Sequence, residues 1–460
     1  MSRGTPANTV LVISDEHNPF QSSVYGHPVV RTPNMEQLAE DGTIFRNAYC
    51  PSPLCMPSRS AFFTGRRVHD IGVYNNCRIG LNTNLSNYGG VLSGQGVYTA
   101  YAGKVHVYDD PENLGFDALL VPGDIAYPGD TMFRRRPLSI RDQADRRAAA
   151  WGPKEGSLSR DEDIATRAVK WIQSVAPSID RPWVLTISFV KPHFPHHVSQ
   201  DYWSMYERGD LPAHGIDEET ARHPYADDLR RHFQTTDFTE EQVRGHRRGY
   251  WACVSHIDRQ IGRIVETLEK SRLGERTNVI YTADHGEMLG EFGMWWKGSL
   301  YEDSARIPCI AAGPDFTRGH TVETPVDLHD VRAALFASAG TPQPGGWLGS
   351  ALQQIPNQDE KRIVFSEYHG HGTRSGAFMV RQGQWKLIHY SEGPDQLFDL
   401  ESDPDELINR LEEESEIAKE LYRELHTICS PDEENSRAHR HELSQLEIID
   451  RDFSNLPHTG

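Results

Sequence analysis

The chain has 460 residues, 37% of them hydrophobic, a length that predicts two or three structural units and a sizeable core. Its 66 acidic residues outnumber 47 Lys and Arg, and the formal charge of −19 argues against nucleic acid or an anionic membrane as a partner. No stretch approaches the roughly 18 apolar residues of a membrane span, and the first apolar run is short for a secretory signal, so we expect a cytoplasmic protein.

Four short apolar runs predict buried strands, and ionisable residues follow each of them. The runs and the groups that follow are residues 9–14 with Asp15 and Glu16, 97–103 with Lys104 and His106, 183–190 with Lys191 and His193, and 278–283 with Asp284 and His285. Longer helical patterns between the runs predict a parallel sheet with crossover helices. Loops after strands are commonly polar, but four strands that all supply acids, His or Lys favour one shared site beyond their carboxyl ends.

Two helices and two irregular segments are predicted around these strands. Residues 32–42 and 247–274 show helical spacing and end at glycines. In the second helix we interpret Cys253, His256 and Asp258 as packing or solvated residues rather than ligands. Residues 107–160 and 209–241 show no regular pattern. Long segments of this kind form lids or substrate walls, or simply cover the surface.

The pattern changes after about residue 355. Alternating runs on either side of Gln382 and Gly383 predict a hairpin in a small antiparallel sheet, followed by a helix over residues 415–429. The charged tail contains an apolar segment at residues 446–449, which suits an arm that docks on another subunit of a dimer or tetramer; a frayed end is the alternative. The predicted organisation is a catalytic α/β domain at 1–355, a sheet and helix subdomain at 356–430 and a tail at 431–460.

A metal site is predicted from the acids that follow the first and last of the four strands. Asp15, Glu16, Asp284 and His285 offer three carboxylates and one imidazole. Hard oxygen donors favour Ca²⁺, Mg²⁺ or Mn²⁺ over a closed zinc site. The alternative is that each acidic pair only caps the next helix.

Cys55 lies where a helix is predicted to begin. Six cysteines are spread along the chain without the spacing of a zinc site or a disulfide framework, so Cys55 has to be judged by its surroundings. Pro57 suits a first helical position and Ser58 lies in the first turn. A helix N-terminus binds sulfate or phosphate and activates a group placed there. The basic groups that we expect to complete a pocket for a small anionic ester are Lys104, His106, Lys191, His193 and Lys297.

The residues around Cys55 carry a resemblance to a known family. The motif CMPSR at Cys55 matches the C-x-P-S-R signature of the type I sulfatases, members of the alkaline phosphatase superfamily in which this Cys becomes formylglycine. The motifs ISDEH, GKVH, KPH, ADHGEMLGEFGMWWKGSLYEDSARIP and LFDLESDPDEL follow the family's order over residues 9–410. The resemblance implies a large, mainly parallel sheet sandwiched by helices. It also implies a formylglycine-generating enzyme that acts on Cys55.

The resemblance further implies a role for each matching residue. One divalent ion, Ca²⁺ or Mn²⁺ with Mg²⁺ also open, would be held by Asp15, Glu16, Asp284, His285 and the modified Cys55. Arg59 would orient the formylglycine hydrate, and Lys104 and His106 would hold the hydrate and the ester anion. His193 and Lys297 would face the ester oxygen, where one of them protonates the leaving group. The family more often has Asp, Asn or Gln at the position of Glu16, and Asn or His at that of His285.

The implied reaction is hydrolysis of a sulfate ester. One hydroxyl of the hydrated aldehyde attacks sulfur, and deprotonation of the other then expels sulfate by carbon–oxygen cleavage. Several motifs most resemble the branch of choline sulfatases and bacterial alkyl or aryl sulfatases. Phosphonate monoester hydrolases and phosphodiesterases share the same core and are the main alternative. A thiolate phosphatase and a non-catalytic anion-binding protein are the others; the first usually has a longer gap between its Cys and Arg than the MPS of this chain.

Overall fold

The computed structural model describes residues 6–121, 127–207 and 223–452, in which the chain forms 17 strands and 13 α-helices. The strands are β1 Asn8–Asp15, β2 Gly42–Phe45, β3 Ala48–Tyr49, β4 Tyr98–Gly103, β5 Ala118–Val121, β6 Trp151–Pro153, β7 Trp183–Pro192, β8 His196–Val198, β9 Thr277–Ala283, β10 Arg306–Ile307, β11 Cys309–Ala312, β12 His320–Val322, β13 Val326–Asp327, β14 Ile363–Tyr368, β15 Ala377–Gln382, β16 Trp385–Tyr390 and β17 Gln396–Asp399. The helices are α1 Pro33–Glu40, α2 Cys55–Thr64, α3 Val68–Ile71, α4 Tyr88–Gly94, α5 Ala144–Ala148, α6 Ser159–Ser174, α7 Gln200–Trp203, α8 Pro224–Phe233, α9 Glu240–Lys270, α10 Glu302–Ala305, α11 Leu328–Ser338, α12 Ser415–Ile428 and α13 Pro431–Asp452.

The four predicted strands lie side by side in the middle of the large sheet. Its order is β12-β2-β11-β9-β1-β7-β4-β5, and β9, β1, β7 and β4 run parallel. Among the described strands of this sheet, only β11 runs antiparallel to its neighbours, which are β9 and β2. The prediction of a mixed, mainly parallel sheet is therefore confirmed.

Helices cover both faces of this sheet, which explains why β1 is buried along its whole length and apolar over residues 10–13. Val10 and Val12 point to one face, where they pack with residues of α1, α6 and α9. Leu11 and Ile13 point to the other face, where they pack with residues of α2, α4 and α11. Because successive side chains of a strand alternate between faces, a continuous apolar run is buried on both sides.

A four-stranded antiparallel sheet, β14-β15-β16-β17, forms the predicted C-terminal unit. One face packs against α12 through Val380, Leu387 and Leu421. The predicted hairpin is present, but Gln382 pairs with Trp385, so the two turn residues are 383 and 384 rather than Gln382 and Gly383. Gly383 has a φ of 57°, a left-handed conformation that a tight hairpin turn requires.

The segments predicted to be irregular contain short elements. Residues 107–160 contain β5, α5 and β6. Of the second segment, residues 209–222 lie outside the described residues, and the helix α8 follows them. The expectation of irregular structure was wrong at α8 because Tyr225, Leu229 and Phe233 recur every four residues among charged ones and bury one side of the helix. The long helix α9 begins at Glu240 rather than at residue 247, with a capping box between Thr239 and Gln242.

The tail forms the helix α13, which packs on its own chain. Leu446 and Ile449 join an apolar cluster with Cys77, Ile79 and Phe133. The apolar segment noted at residues 446–449 therefore has a partner within the chain, and an additional role as an arm between subunits stays a prediction. Among the described helices, none combines the length and the apolar character that crossing a membrane requires.

Candidate active site

The parallel register brings the ends of the central strands together. The backbone N–H of His193 donates to Asp15 O at 3.0 Å, and that of Asp284 donates to Ser14 O at 3.2 Å. Lys104 N likewise donates to Ser188 O at 3.0 Å. Residues that are far apart in sequence therefore meet at one edge of the sheet, which is where an α/β sheet of this kind places its ligand site.

Four potential metal ligands form a buried group at this edge. Asp15, Cys55, Asp284 and His285 each offer a donor atom, and these atoms lie within 4.8 Å of one another. Cys55 Sγ is 3.2 Å from His285 Nε2 and 3.7 Å from Asp15 Oδ1. His285 Nδ1 is 2.9 Å from Gly286 O. Because Nδ1–H donates to this carbonyl, the lone pair of Nε2 faces the acids and the thiol, as a metal ligand requires.

Glu16 lies beside this group and makes different contacts. Its Oε2 is 3.1 Å from Lys297 Nζ and 3.3 Å from His193 Nε2, while its backbone N–H donates to Asp284 Oδ1 at 3.0 Å. Burial raises the pKa of Glu16 to about 8, and the neighbouring Glu287 adds to this against the charge of Lys297. Asp15, Glu16 and His193 also form a second close set of potential ligands, which shares Asp15 with the first set.

Cys55 is the first residue of α2 and is 1% exposed. Asn76 Oδ1 accepts the Met56 N–H at 3.0 Å, and Ser58 Oγ donates to Asp284 O at 2.6 Å, so this end of the helix is tied to the metal-ligand group. Burial and the charge of Asp15 raise the pKa of the Cys55 thiol to about 12. In the metal-free site an unmodified Cys55 is therefore a neutral thiol.

Arg59 and Lys104 neutralise the acids. Arg59 Nε donates to Asp284 Oδ2 at 2.7 Å, and Arg59 Nη1 donates to Ser188 Oγ at 2.8 Å. Lys104 Nζ forms an ion pair with Asp15. Burial alone would raise the pKa of Asp15, but the charges of Lys104, His193 and Arg59 hold it well below its usual value. Asp15 is therefore ionised and ready to bind a cation.

The predicted basic groups divide into two sets. Lys297 contacts Glu16, and the pKa of its ammonium is raised because Cys55 and the surrounding acids outweigh the effect of burial. Burial and the charge of Lys297 hold the pKa of His193 well below its usual value, and burial with the charge of Lys104 does the same for His106. Lys191 was expected in the anion pocket, but its Nζ contacts the carbonyls of His193 and Pro195 instead. Its side chain is held by the loop after β7.

Sequence reasoning missed Ser188 and Glu287, which support the site. Ser188 lies within the apolar run of β7 and orients Arg59, and a serine in the middle of a buried strand was the available signal. Glu287 Oε1 accepts the Trp296 N–H at 2.6 Å and the Leu289 N–H at 2.9 Å. Trp296 is 1% exposed and packs against Phe194 and other rings. The contacts of Glu287 and the packing of Trp296 hold the loop that carries Lys297.

Strained backbone is concentrated here. Glu16, His106 and Trp296 have φ values of 68°, 48° and 65°, a left-handed conformation that costs a non-glycine residue about 1 kcal/mol or more. Such strain persists where surrounding contacts hold a side chain in a functional position. Ionised acids balanced by fixed cations, next to a residue at a helix N-terminus, are the arrangement that metal-assisted hydrolysis of an anionic ester requires.

Comparison with known proteins identifies the family. Residues 7–341 match the family model described as Sulfatase, and residues 290–430 match that of the C-terminal part of N-sulphoglucosamine sulphohydrolase. The chain belongs to the sulfatase family, and it is a sulfuric ester hydrolase.

Two sulfatases and one solved hydrolase are among the proteins that are similar to this chain. A choline-sulfatase of Rhizobium meliloti (strain 1021) is 32% identical over 436 residues, covering 90% of this chain and 83% of the relative. Arylsulfatase K of Bos taurus is 28% identical over 484 residues, covering 98% and 87%. The solved phosphonate monoester hydrolase of Agrobacterium radiobacter superposes with a TM-score of 0.73 at 21% identity, covering 95% of this chain and 96% of that one. This structural likeness confirms the alkaline phosphatase-like fold.

Proposed function

We propose that the chain hydrolyses aryl or alkyl sulfate esters, with choline-O-sulfate among the candidate substrates, by means of a formylglycine made from Cys55 and one divalent cation. The observation that carries the proposal is the position of Cys55, whose Sγ contacts both His285 and Asp15 at the start of α2. A formylglycine hydrate at this position supplies one hydroxyl to attack sulfur and a second whose deprotonation releases sulfate. Similarity to a choline-sulfatase supports the choice of substrates.

The donor set fits a hard divalent cation. Asp15, Asp284 and His285 would hold it together with residue 55, and Glu16 would join them. A cation here lowers the pKa of a bound hydroxyl and offsets charge on the sulfate group. Two carboxylate ligands and the oxygens of a hydrate suit Ca²⁺, and the single imidazole suits Mn²⁺; Mg²⁺ is also compatible with these ligands.

Charge balance explains how an acidic protein attracts an anionic ester. Even with Glu16 ionised, the three carboxylates of Asp15, Asp284 and Glu16 are matched by contacts from three cationic side chains, which are Lys104, Arg59 and Lys297. The raised pKa of Glu16 makes the set less negative still. A divalent cation added to this balanced set leaves the site positive. The local field therefore favours a sulfate ester although the whole chain is strongly negative.

The basic residues would divide the work on the ester. Lys297 stays protonated and stabilises charge on the ester oxygen. His193 Nδ1 lies 2.6 Å from Phe194 O, which commits Nδ1–H and leaves the lone pair of Nε2 as a hydrogen-bond acceptor, so the ammonium of Lys297 would supply the proton to the leaving group. Lys104 and His106 would hold the sulfate oxygens, and Arg59 would act by fixing Asp284.

The test uses enzyme expressed together with a formylglycine-generating enzyme, which we propose as its maturation partner. Mass analysis of the peptide with residue 55 should show an aldehyde in place of the thiol, and Cys55→Ala should abolish turnover of an aryl sulfate. Cys429→Ala, at a partly exposed cysteine, is the matched control and should keep full activity. An active Cys55→Ala enzyme would refute the proposal.

A substrate panel tests the chemistry further. Choline-O-sulfate, an aryl sulfate and a phenylphosphonate ester should be compared by kcat/KM on fully modified enzyme. We expect a sulfate ester to give the highest value, and a higher value for the phosphonate would favour the phosphonate monoester or phosphate diester hydrolase. The cytoplasmic location and the dimer or tetramer remain predictions, which cell fractionation and light scattering test.

A further inference from the structure

Lys386 is a buried cation of the C-terminal sheet, outside the candidate active site. It lies on β16 and is 0% exposed, on the same side of the strand as Ile388 and Tyr390. Its Nζ donates to Glu302 Oε1 at 2.9 Å and lies 2.8 Å from Glu406 Oε1. A lysine removed this completely from water is costly unless it is paired, so its position depends on these two acids.

Glu302 connects this lysine to the segment that precedes Cys55. Tyr49 Oη lies 2.9 Å from both carboxylate oxygens of Glu302 and donates to them. Tyr49 ends β3, and the chain continues from it directly into the loop before α2. The backbone N–H of Glu302 also donates to Glu406 Oε2 at 2.6 Å. A shift of Glu302 would therefore be felt at the start of the Cys55 helix.

Glu302 also begins α10, which holds the loop that carries His285 and Lys297. Gly286 N donates to Ser304 O and Glu287 N to Asp303 O, both at 2.8 Å. The approach is close, since a Cβ added to Gly286 would lie 2.1 Å from Asp303 O. Asn18 Nδ2 donates to Asp303 Oδ1 at 2.6 Å, which ties the segment after Glu16 to the same helix.

We propose that Lys386 and Glu406 are positioning residues for sulfate transfer, because through Glu302 they set the separation between Cys55 and the loop that carries His285 and Lys297. This inference rests on the roles proposed above for those three site residues. It assigns the C-terminal sheet a part in catalysis that is distinct from its contribution to the hydrophobic core.

The test is the charge-matched double variant Lys386→Met/Glu406→Gln. It removes one positive and one negative charge together, and Glu302 keeps Arg306 Nη1 at 3.2 Å as a partner. A displacement of about 1 Å at a reacting group costs up to roughly 100-fold, so we expect kcat to fall at least about tenfold, with a smaller change in KM. We also expect Mn²⁺ to bind the metal-free variant at least about fivefold more weakly in calorimetry, because His285 would be displaced.

The matched control is Lys419→Met/Glu416→Gln, an exposed Lys–Glu pair on α12 that should change neither value. Wild-type kcat and Mn²⁺ affinity in a folded Lys386→Met/Glu406→Gln protein would overturn the proposal, even if its melting temperature were lower. The single variant Glu406→Gln preserves the shape of the side chain and replaces one carboxylate oxygen by an amide nitrogen. It should shift kcat and Mn²⁺ affinity in the same direction by a smaller factor, and the absence of any shift would also contradict the proposal. If the wild type fails to hydrolyse sulfate esters, the proposed function fails, while the Mn²⁺ measurement still tests the positioning role.

Discussion

Arg59 Nε lies 2.7 Å from Asp284 Oδ2, and this buried ion pair links the Cys55 helix to the end of β9. The family resemblance implies that Arg59 orients and polarises the hydrate formed from Cys55, and this role stays a prediction. The structure shows its guanidinium directed at Asp284 and Ser188, which fixes the orientation of a proposed metal ligand.

The first prediction concerns this pair. Arg59→Lys keeps the charge but removes the forked geometry that reaches Asp284 and Ser188 together, so we expect kcat/KM for an aryl sulfate to fall by roughly 100-fold. Steady-state kinetics on modified enzyme measures it. Arg66→Lys, at an exposed position just after α2, is the control and should keep full activity. A loss of less than about threefold in Arg59→Lys would show that the fork is dispensable.

The second prediction concerns pH and a contact between β14 and α3. Glu367 of β14 contacts His69 Nδ1 of α3 at 2.8 Å and His369 Nε2 at 2.9 Å. Burial opposes ionisation, but the charge of His69 holds the pKa of Glu367 below its usual value. Burial likewise opposes protonation of His69, yet Glu367 raises the pKa of that imidazole.

The sign of the pH dependence follows from these directions. Glu367 stabilises the fold above its unfolded pKa of about 4.3 and loses this effect as pH falls through its lower folded value. His69 stabilises the fold below about pH 6.5 and loses this effect as pH rises through its higher folded value. Glu367→Gln should therefore lower the free energy of unfolding most between about pH 4.5 and 6.5, by about 3 kcal/mol. Urea unfolding across pH measures this, with the exposed Glu401→Gln as control; a loss that is independent of pH would contradict the assignment.

The third prediction concerns the tail helix. Gln445 of α13 accepts a hydrogen bond from Asn75 Nδ2 at 2.8 Å and donates to the carbonyls of Ile79 and Cys77 at 2.8 and 3.2 Å. Gln445→Leu leaves these buried groups unpaired, so we expect the free energy of unfolding to fall by about 2–4 kcal/mol. Leu443→Gln, at an exposed position of the same helix, should change it by less than about 0.5 kcal/mol. Equal stability of the two variants would mean that α13 does not hold this segment.

The central sheet and the meeting of its strand ends could be predicted from the sequence because each apolar run ends in ionisable groups. The direction in which the Lys191 side chain points could not be predicted. The register between β1 and β7 shifts after Ile13, so that Asp15 pairs with Pro192. The Nζ of Lys191 then contacts a backbone carbonyl of the loop that follows β7. A continuous apolar run does not reveal such a shift.

The contacts that connect Lys386 through Glu302 to the candidate active site could not be predicted from the sequence either. Within WKLIHY, Lys386 lies on the same face of the strand as Ile388 and Tyr390, and this face packs against the rest of the chain. A lysine in a small sheet ordinarily faces solvent, so the sequence did not indicate that Lys386 is buried. Its partner Glu302 is 84 residues away in the sequence. Only the three-dimensional packing of the C-terminal sheet on the catalytic side brings the two charges together.

The most direct test of the central claim is anomalous diffraction from crystals of the modified enzyme loaded with Mn²⁺. We predict one strong peak in contact with the carboxylates of Asp15 and Asp284, His285 Nε2 and the modified side chain of residue 55. An enzyme that hydrolyses an aryl sulfate but shows no peak among these residues, or a peak away from residue 55, would contradict the account.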